Sequence, residues 1–393
     1  MSANILKFVI PIIGSLVLNI GLALGAAVLW RRVNKRIWKL PLFRICARYL
    51  PWATALFILV WMAGIFTGLS IFYLIGGAGS AFLIVYCVAL LLTLPLSYLL
   101  YRIGISPTQE KTDVGRRKFM KIAAGALPVA ALTTSAIGVV ESFTGVRVPE
   151  LNIDIPGLPD QLQGLKIAHL SDLHLGYYYT LDDLEKTLAL IASKNPDIYF
   201  ITGDIADEPA LLPAALKMIH GLNTPYQGFA SVGNHEYYRG INKVLDTFST
   251  GPVPLLLNTG QLVNIKGADI YIGGADDPVS LRPDILAFIR NTVDKTMRNA
   301  PENCFRILLS HRPAGFDAAQ KHLVNLTLAG HTHGGQIGLR GKSLFETLPL
   351  GKYLWGLYKQ GDTRLYTSSG MGHWFPIRLG CPAEAPILTL RKG

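Results

Sequence analysis

The sequence predicts an α/β domain that follows a membrane-spanning region. The apolar fraction of 50% and the mean hydropathy of +0.34 are high for a soluble protein. The apolar residues form long stretches before residue 141, and short apolar runs alternate with helical patterns from about residue 148. We therefore expect a membrane domain at residues 1–147 and an α/β domain at residues 148–393.

Four apolar stretches are long enough to cross a bilayer, which takes about 20 helical residues. We predict spans at about 5–30, 51–76, 79–101 and 119–140, with the uncharged Gly76-Gly77-Ala78 as the turn between the second and third. The loop after the first span and the segment before the fourth are rich in Lys and Arg. Because basic loops remain in the cytoplasm, the sequence predicts a multi-pass protein of the cell membrane with an extracytoplasmic α/β domain.

The fourth predicted span follows Gly115-Arg116-Arg117-Lys118-Phe119-Met120-Lys121. This segment resembles a twin-arginine export signal, with Gly in place of the usual Ser/Thr and Met in place of Leu. Such a signal suits a domain that is exported in folded form. A basic flank that only orients the helix explains the same residues equally well.

The net charge of +11 does not indicate a nucleic-acid-binding protein. Residues 1–121 hold 14 Lys/Arg and two acidic residues, whereas the remainder holds 23 basic and 24 acidic residues. The positive excess therefore belongs to the membrane-flanking loops, and we expect no nucleic-acid partner. The four cysteines are scattered and predict neither a zinc framework nor a disulfide scaffold. A Cys304 to Cys381 bridge stays open, because sequence does not establish proximity.

The α/β domain is predicted to contain eight strands. They cover residues 165–170, 198–202, 228–232, 269–273, 305–309, 326–329, 364–367 and 386–390. A helix between the first two strands is predicted from Thr180 as its N-cap, Leu184 and Leu188 on one face, and Asn195-Pro196 as its stop. A second helix follows Pro209 and ends near Gly221.

Side chains that bind metals follow five of these strands directly. Because the carboxyl ends of strands in α/β domains form one edge, where ligands bind, we expect these side chains to converge. Carboxylate, amide and imidazole ligands without sulfur favour manganese, iron or zinc. The seven candidate ligands are Asp172, His174, Asp204, Asn234, His311, His331 and His333.

Each motif taken alone has a structural explanation. Asp172-Leu173-His174 can arise by chance, Gly203-Asp204 is typical of a turn, Asn234-His235-Glu236 can cap a helix, and residues 330–338 can form an ordinary loop. Their order and number argue against these explanations, because five of the nine histidines lie inside the motifs. We therefore predict two divalent cations that activate a water for attack on a phosphate.

The residues of these motifs resemble the motifs of the calcineurin-like metallophosphoesterase family, in its bacterial membrane-associated branch. The similar segments, spread over roughly residues 150–392, are Ser171-Asp172-Leu173-His174-Leu175-Gly176, Gly233-Asn234-His235-Glu236, Gly330-His331-Thr332-His333-Gly334-Gly335-Gln336, Pro376-Ile377-Arg378 and Cys381-Pro382.

The resemblance implies a four-layer αββα sandwich with paired ions. It implies that Asp172, His174 and His333 hold one ion, that Asn234, His311 and His331 hold the other, and that Asp204 bridges them. His235 is implied as a general acid or transition-state stabiliser.

Four histidines and one arginine stay outside this scheme. His169, His220, His322 and His373 match no ligand position, and we interpret them as structural. Arg239 lies near His235, where a phosphate contact is conceivable, but an exposed loop position is the simpler interpretation.

The predicted function is cleavage of a phosphoester or pyrophosphate bond by a membrane-anchored, two-metal hydrolase. The aromatic segment 344–358 can rest on lipid or pack in a core, so a phosphorylated small molecule and a lipid-linked substrate both stay open. A transporter or sensor with a degenerate domain is an alternative, although the spans contain almost no charge. Metal-dependent hydrolysis of an amide or lactone is a third.

Overall fold

The structure is a computed structural model that describes residues 2–33, 39–105, 114–277, 284–348 and 351–393. The chain divides into two compact units. One unit comprises Met1–Glu141 and Phe375–Ile377, and the other comprises Ser142–Trp374 and Arg378–Gly393. The first unit is helical, and all of the described strands belong to the second.

In the part of the chain that the structure describes, four helices precede the first strand. They are α1 (Ser2–Val33), α2 (Pro41–Thr67), α3 (Ser70–Ile105) and α4 (Val114–Ser142).

Three of the four predicted spans are present as helices that are long and apolar enough to cross a membrane. They are Arg44–Thr67, Ser70–Ile103 and Lys118–Ser142. The predicted span 5–30 falls partly on side chains outside the described residues, and its described apolar part, Ile13–Val28, is shorter than a crossing helix. The count of four spans is therefore corrected to three for the part of the chain that the structure describes.

The turn between α2 and α3 lies at Gly68 and Leu69, so its predicted position at Gly76-Gly77-Ala78 is wrong. Gly68 ends α2 in the left-handed conformation, with φ 70°, and donates its N–H to the carbonyl of Gly64 at 2.9 Å. Gly76 lies inside α3, where a Cβ atom would collide with the backbone of Trp61. Glycine at position 76 therefore permits close packing of two helices rather than a reversal of the chain.

The second unit contains two mixed sheets. The order of the five-stranded sheet is β1-β13-β2-β3-β4, and that of the six-stranded sheet is β11-β12-β8-β7-β6-β5. Strands β9 and β10 form a separate antiparallel pair. The strands are β1 (Glu150–Ile155), β2 (Lys166–Leu170), β3 (Ile198–Thr202), β4 (Phe229–Ser231), β5 (Thr259–Ile265), β6 (Ala268–Gly274), β7 (Phe305–Leu309), β8 (Leu326–Ala329), β9 (Gly338–Leu339), β10 (Lys342–Ser343), β11 (Gly356–Gln360), β12 (Thr363–Thr367) and β13 (Ile387–Lys392).

Seven α-helices accompany these strands among the described residues of the second unit. They are α5 (Leu181–Ala192), α6 (Leu212–His220), α7 (Asn234–Arg239), α8 (Ile241–Thr250), α9 (Ile285–Met297), α10 (Gly315–Ala319) and α11 (Leu344–Thr347), with short 3-10 turns at Asp160–Leu162, Pro209–Leu211, Gln320–His322 and His333–Gln336.

All eight predicted strands and both predicted helices are confirmed. Thr180 caps α5 as predicted, since its hydroxyl accepts the N–H of Asp183 and the Asp183 carboxylate accepts the N–H of Thr180. The longer strands that sequence missed are β1, β5 and β11, and each lies at an edge of its sheet. Their residues are largely exposed, so the apolar run that marks a buried strand is absent from them.

The two sheets pack face to face, and helices cover their outer faces. Side chains alternate along each strand, so Ile307 of β7 points into the core between the sheets while Leu308 packs against Val293 of α9. On the other side, α5, α6 and α8 cover the five-stranded sheet with residues such as Leu184 and Phe248. This arrangement is the expected four-layer αββα sandwich.

Two further expectations concern a disulfide bridge and the aromatic segment 344–358. Cys304 and Cys381 are both free thiols, so the bridge left open by the sequence is not formed. In the segment 344–358, Trp355 is buried, whereas Leu344 and Leu348 are exposed. Residues 349 and 350 of that segment lie outside the described residues.

Candidate metal centre

The predicted ligands lie in five loops, each of which begins at the carboxyl end of a strand. Strands β2, β3 and β4 are parallel neighbours in one sheet, and β7 and β8 are parallel neighbours in the other. Parallel strands direct their carboxyl ends to one edge, so residues far apart in sequence meet there. The structure brings all seven predicted ligands into this region.

The first donor group consists of Asp172, His174 and His333, all of which are buried. The Nε2 atoms of His174 and His333 are 3.1 Å apart, and the Nε2 atom of His333 is 3.5 Å from Oδ1 of Asp172. Two imidazole nitrogens and a carboxylate oxygen therefore converge within the reach of one cation.

The second donor group consists of Asp204, His311 and His331. Oδ2 of Asp204 lies 3.2 Å from Nε2 of His311, and the same His311 atom lies 3.2 Å from Nδ1 of His331. Oδ2 of Asp204 is also 3.7 Å from Nε2 of His174, which links the two groups.

Asn234 joins these residues in the wall of a shared cavity. The cavity has a volume of about 230 Å³ and is lined by His174, Asp204, Asn234, His235, Tyr238, His331, His333 and Trp374. Asn234 is buried at the first position of α7 and contributes a neutral amide oxygen.

The ligand loops adopt an unusual backbone conformation. Five of the seven predicted ligands have positive φ angles, at Asp172 (51°), His174 (47°), Asp204 (53°), His331 (68°) and His333 (48°). Residues with a Cβ atom adopt this left-handed region rarely, although Asp and His do so more often than most. Such outliers cluster where the surrounding structure fixes functional groups.

Hydrogen bonds from neighbouring strands hold Asp172 in place. Its Oδ2 atom accepts the hydroxyl of Ser171 at 2.5 Å, and that hydroxyl oxygen accepts Oγ1–H of Thr202 at 2.7 Å. The backbone N–H of His331 donates to the carboxylate from the opposite sheet at 3.0 Å. Asp172 is therefore tied to both sheets.

Glu236 connects two of the ligand loops. Its buried carboxylate accepts the backbone N–H groups of Asp204 at 2.9 Å, Ile205 at 2.8 Å and Gly233 at 2.7 Å. The sequence contained Glu236 inside a recognised motif but gave no indication of this role, because the acceptor function depends on loops from two different strands.

His235 lies beside the bridging position between the donor groups. Its backbone N–H donates to Oδ1 of Asp204 at 2.8 Å, and its ring Nδ1 atom is 2.6 Å from Oδ1 of Asp207. The second Asp207 oxygen is 3.3 Å from Nδ1 of His174. Asp207 therefore contacts a candidate ligand and the candidate acid together. Arg239 also contacts Asp207 at 3.2 Å and is 41% exposed, as predicted, but it is the last residue of α7 and does not lie in a loop.

The charges of the centre are strongly coupled. Burial raises the pKa of Asp204, but His311, His235 and His174 lower it well below the usual value, so the carboxylate stays ionised. Burial and the neighbouring charge of His311 lower the pKa of His331, and burial and His174 do the same for His333. Neutral imidazoles carry the free lone pair that a metal requires.

Sequence reasoning missed Arg312 and Asp277. Arg312 directly follows His311, and its Nε atom donates to both carboxylate oxygens of Asp277 at 3.1 and 3.0 Å. The terminal nitrogens lie 2.7 Å from Nε2 of His331 and 3.4 Å from Oδ1 of Asn234. The only sequence signal was a basic residue adjacent to a predicted ligand.

The remaining histidines lie outside the donor groups. His169 is buried with Nε2 at 2.9 Å from the Thr202 hydroxyl, and His322 pairs with Asp294 at 2.8 Å. His220 ends α6, and His373 is buried against the ring of Tyr178. The donor set near Asp204 consists of nitrogen and oxygen atoms that the fold holds in place, so the residues fit the binding of divalent metal.

Comparison with known proteins identifies the family. The family described as calcineurin-like phosphoesterase matches residues 165–335. The chain is 33% identical over 294 residues to a Bacillus subtilis protein named uncharacterized metallophosphoesterase YkuE, and the alignment covers 71% of this chain and 98% of that protein. It is 31% identical over 301 residues to an uncharacterized metallophosphoesterase of Helicobacter pylori, with 75% of each chain covered.

The chain is also similar to a eukaryotic protein. The chain is 29% identical over 276 residues to a Bos taurus protein named transmembrane protein with metallophosphoesterase domain, with 65% of this chain and 60% of that protein covered. Family match, relatives and the arrangement of the ligand loops agree, and the chain belongs to the calcineurin-like metallophosphoesterase family.

Proposed function

We propose that the protein is a membrane-anchored phosphohydrolase that holds two divalent cations and cleaves a phosphoester or pyrophosphate bond. The observation that carries this proposal is the position of Asp204. One oxygen of its carboxylate lies 3.2 Å from His311 and 3.7 Å from His174, so it faces one histidine of each donor group. A carboxylate in this position suits a bridge between two cations.

The two donor groups support the ligand assignment that the family resemblance implies. Asp172, His174 and His333 would hold one ion, and Asn234, His311 and His331 the other, with Asp204 shared. Manganese, iron and zinc suit this donor set. When bound, such ions lower the pKa of a coordinated water and neutralise the charge of a phosphate transition state.

His235 is the candidate proton donor to the leaving group. Asp207 holds its Nδ1 atom at 2.6 Å, which fixes the ring and leaves Nε2 as the nitrogen for a substrate. A carboxylate in this position balances the charge of the ring while Nε2 gives a proton to the leaving oxygen. Asp207 therefore acts as a positioning residue for His235.

The rim of the cavity supports a substrate with an apolar part. Tyr238 and Trp374 line the cavity and are 46% and 47% exposed. Exposed aromatic side chains beside a polar cavity suit a molecule that combines a phosphate with an apolar group. A phosphorylated small molecule or a lipid-linked phosphate fits this description.

The helices of the first unit support attachment to the cell membrane. Three of them meet the length and apolarity of a span, and one relative is named a transmembrane protein. Basic residues precede Arg44–Thr67, and further basic residues lie between Ser70–Ile103 and Lys118–Ser142. With both basic regions in the cytoplasm, three crossings place the phosphoesterase domain outside, whether or not α1 also crosses.

The test uses the full chain in detergent micelles and compares it with Asp204→Asn. The wild type should bind two equivalents of divalent metal and hydrolyse at least one compound among phosphomonoesters, phosphodiesters, nucleotide-sugar pyrophosphates and micellar phospholipids. Asp204→Asn should lower kcat by about 100-fold or more. Asp182→Asn, an exposed change on α5, is the matched control.

Three outcomes contradict the proposal. A wild type without stoichiometric metal after supplementation removes the two-metal site. A cellular role that survives Asp204→Asn favours a transporter or sensor. Turnover of amides or lactones with phosphoesters untouched favours the third class of reaction.

A further inference from the structure

We propose that Thr202, oriented by His169, positions one candidate ligand of each donor group and thereby sets the affinity of the centre for metal. Its hydroxyl acts on Asp172 through Ser171, and its backbone carbonyl acts on His311. The inference rests on the proposed two-metal phosphohydrolase and adds two positioning residues to it.

Thr202 connects ligand loops of the two sheets. It is the last residue of β3, and it is fully buried. Its Oγ1 atom lies 2.7 Å from Oγ of Ser171, and its carbonyl oxygen lies 2.7 Å from Nδ1 of His311. Ser171 follows β2 in the five-stranded sheet, whereas His311 lies after β7 in the six-stranded sheet. One residue therefore contacts the loops of both donor groups.

The hydrogen bonds on the hydroxyl side have one direction. An ionised carboxylate only accepts hydrogen bonds, so the Ser171 hydroxyl donates to Oδ2 of Asp172 at 2.5 Å. A hydroxyl has a single hydrogen, so Ser171 must accept from Thr202 at 2.7 Å, and Thr202 must accept from Nε2 of His169 at 2.9 Å. The reverse direction would leave two hydroxyl oxygens 2.7 Å apart without a hydrogen between them. His169 is therefore the first donor of a hydrogen-bond chain that ends at Asp172.

The surroundings of His169 suit this role as a donor. The residue is fully buried, and burial lowers the pKa of its ring to about 3, so the ring is neutral and carries one N–H group. Among the described residues Nδ1 has no hydrogen-bond partner, so no contact favours the tautomer with the proton on Nδ1. The ring of Tyr366 lies edge-on to the imidazole, with the centroids 6.1 Å apart. Packing and tautomer together give the hydrogen-bond chain its direction.

The hydrogen-bond chain orients the carboxylate of Asp172. Its Oδ2 atom is tied to Ser171, while its Oδ1 atom lies 3.5 Å from Nε2 of His333 in the first donor group. A hydrogen bond to a charged oxygen is stronger than one between neutral groups, so it restricts rotation of the carboxylate. Partners of this kind behind a ligand contribute to the affinity for metal.

The backbone carbonyl of Thr202 acts on the second donor group. A carbonyl only accepts, so Nδ1 of His311 carries a proton in this contact. Nε2 of the same ring is then the nitrogen that can bind metal, and it lies 3.2 Å from Oδ2 of Asp204. A side-chain substitution at position 202 keeps this carbonyl. It should therefore remove the support of Asp172 and leave that of His311.

The experiment titrates Mn²⁺ into the metal-free full chain in detergent and follows the electron paramagnetic resonance spectrum, which distinguishes a single ion from a coupled pair. The main variant is Thr202→Val. The matched control is Thr327→Val, because Thr327 is equally buried on β8 and its hydroxyl has no hydrogen-bond partner among the described residues. We expect Thr202→Val to weaken the binding of one of the two ions by about 10- to 100-fold. The other ion, and both ions in Thr327→Val, should bind as in the wild type.

Conservative variants separate hydrogen bonding from packing. Thr202→Ser keeps the hydroxyl and should restore most of the affinity. His169→Phe keeps a ring without the donor and should weaken the same ion by about 3- to 10-fold, whereas His169→Gln supplies an amide N–H and should restore part of this loss. His169→Phe combined with Ser171→Ala should bind no more weakly than Ser171→Ala alone, because the hydrogen-bond chain is then already interrupted.

The inference is overturned if Thr202→Val and Thr327→Val lower the Mn²⁺ affinity equally, since the loss then reflects packing. Equal weakening of both ions in Thr202→Val overturns it as well. If Thr202→Val does not fold, as judged by its melting curve, the His169 variants decide: higher affinity in His169→Gln than in His169→Phe supports the inference, and equal affinity overturns it.

The wild type distinguishes failure of the inference from failure of the proposed function. A wild type that binds two ions, with every variant binding them equally well, overturns the inference and leaves the proposed function intact. A wild type that binds no metal overturns both.

Discussion

The Nε2 atoms of His174 and His333 lie 3.1 Å apart, although 159 residues separate the two histidines in sequence. Two imidazole nitrogens at this distance repel each other unless a proton or a cation lies between them. Protons and metal ions therefore compete for the same lone pairs. This competition determines how the centre responds to pH.

Metal affinity should rise with pH. Burial alone would lower the pKa of His174 and of His311, but the carboxylates around them, Asp207 and Asp204 foremost, raise these values to about 9 and about 10. A proton held near pH 7 must leave before either ring binds a cation, so the metal Kd should fall between pH 7 and pH 9. Isothermal titration in two buffers of different ionisation enthalpy measures the protons released. A Kd and a proton count independent of pH would contradict this expectation.

With a chelator present, the same histidines should make the folded protein less stable as the pH rises, whereas metal affinity rises with pH. Their folded pKa values of about 9 and about 10 exceed the unfolded value of about 6.5, so the stabilisation is complete below pH 6.5 and is lost as pH rises through the folded values. The Tm of the full chain in chelator should therefore decrease from pH 6.5 to pH 10. His174→Asn should show a smaller decrease, and an unchanged slope in that variant would exclude His174 as the source.

Asp207→Asn should lower kcat by about 100-fold, because the amide no longer balances the charge of His235 during proton transfer. The effect should not add to that of His235→Ala, since the two side chains act as one unit. Steady-state kinetics of both single variants and of the double variant give the coupling energy between Asp207 and His235. Asp182→Asn serves as the exposed control, and full additivity would show that Asp207 acts independently of His235.

Glu236→Gln should lower the free energy of unfolding by about 1–3 kcal/mol. The carboxylate accepts three backbone N–H groups, and the amide turns one acceptor atom into a donor that faces them. Denaturant unfolding of the full chain measures the change. Glu185→Gln, on the exposed face of α5, should leave stability within the error of the measurement. Equal effects of the two changes would show that Glu236 does not hold the loops.

Gly330→Ala should weaken metal binding by about 10- to 100-fold. A Cβ atom at this position would collide with the side chains of Ser171 and Asp172, so the candidate ligand Asp172 must shift. Gly145→Ala is the matched control, because a Cβ atom there meets nothing within 4 Å. Metal titration of the two variants measures the difference. If both variants bind metal like the wild type, metal affinity does not depend on the position of the Asp172 side chain.

The fold could be predicted from sequence where burial was high. Strand β3, Ile198–Thr202, is buried along its whole length and was predicted at its exact bounds. Strand β5, Thr259–Ile265, lies at a sheet edge with most residues exposed, so its sequence lacks the apolar run. The turn at Gly68 was misplaced because glycine serves both chain reversal and close helix packing, and only tertiary contacts distinguish the two.

The candidate ligands could be predicted because each follows a strand end in a short motif. Asp207, Asp277 and Arg312 could not be assigned roles in this way. Asp207 and His235 are in contact but lie 28 residues apart in sequence, and Arg312 and Asp277 lie 35 residues apart. Neither separation corresponds to a sequence motif. Such contacts depend on how two loops approach in space, which a single sequence does not specify.

The left-handed backbone at Asp172, His174, Asp204, His331 and His333 limits the repertoire of side chains that these positions tolerate, independently of metal chemistry. A β-branched residue there would remove a ligand and also strain the backbone. A loss of activity could then not be assigned to either cause alone. Asn accepts the same torsion angles while it removes the carboxylate charge. An amide replacement at Asp172 or Asp204 is therefore the substitution that isolates ligand chemistry from the shape of the polypeptide.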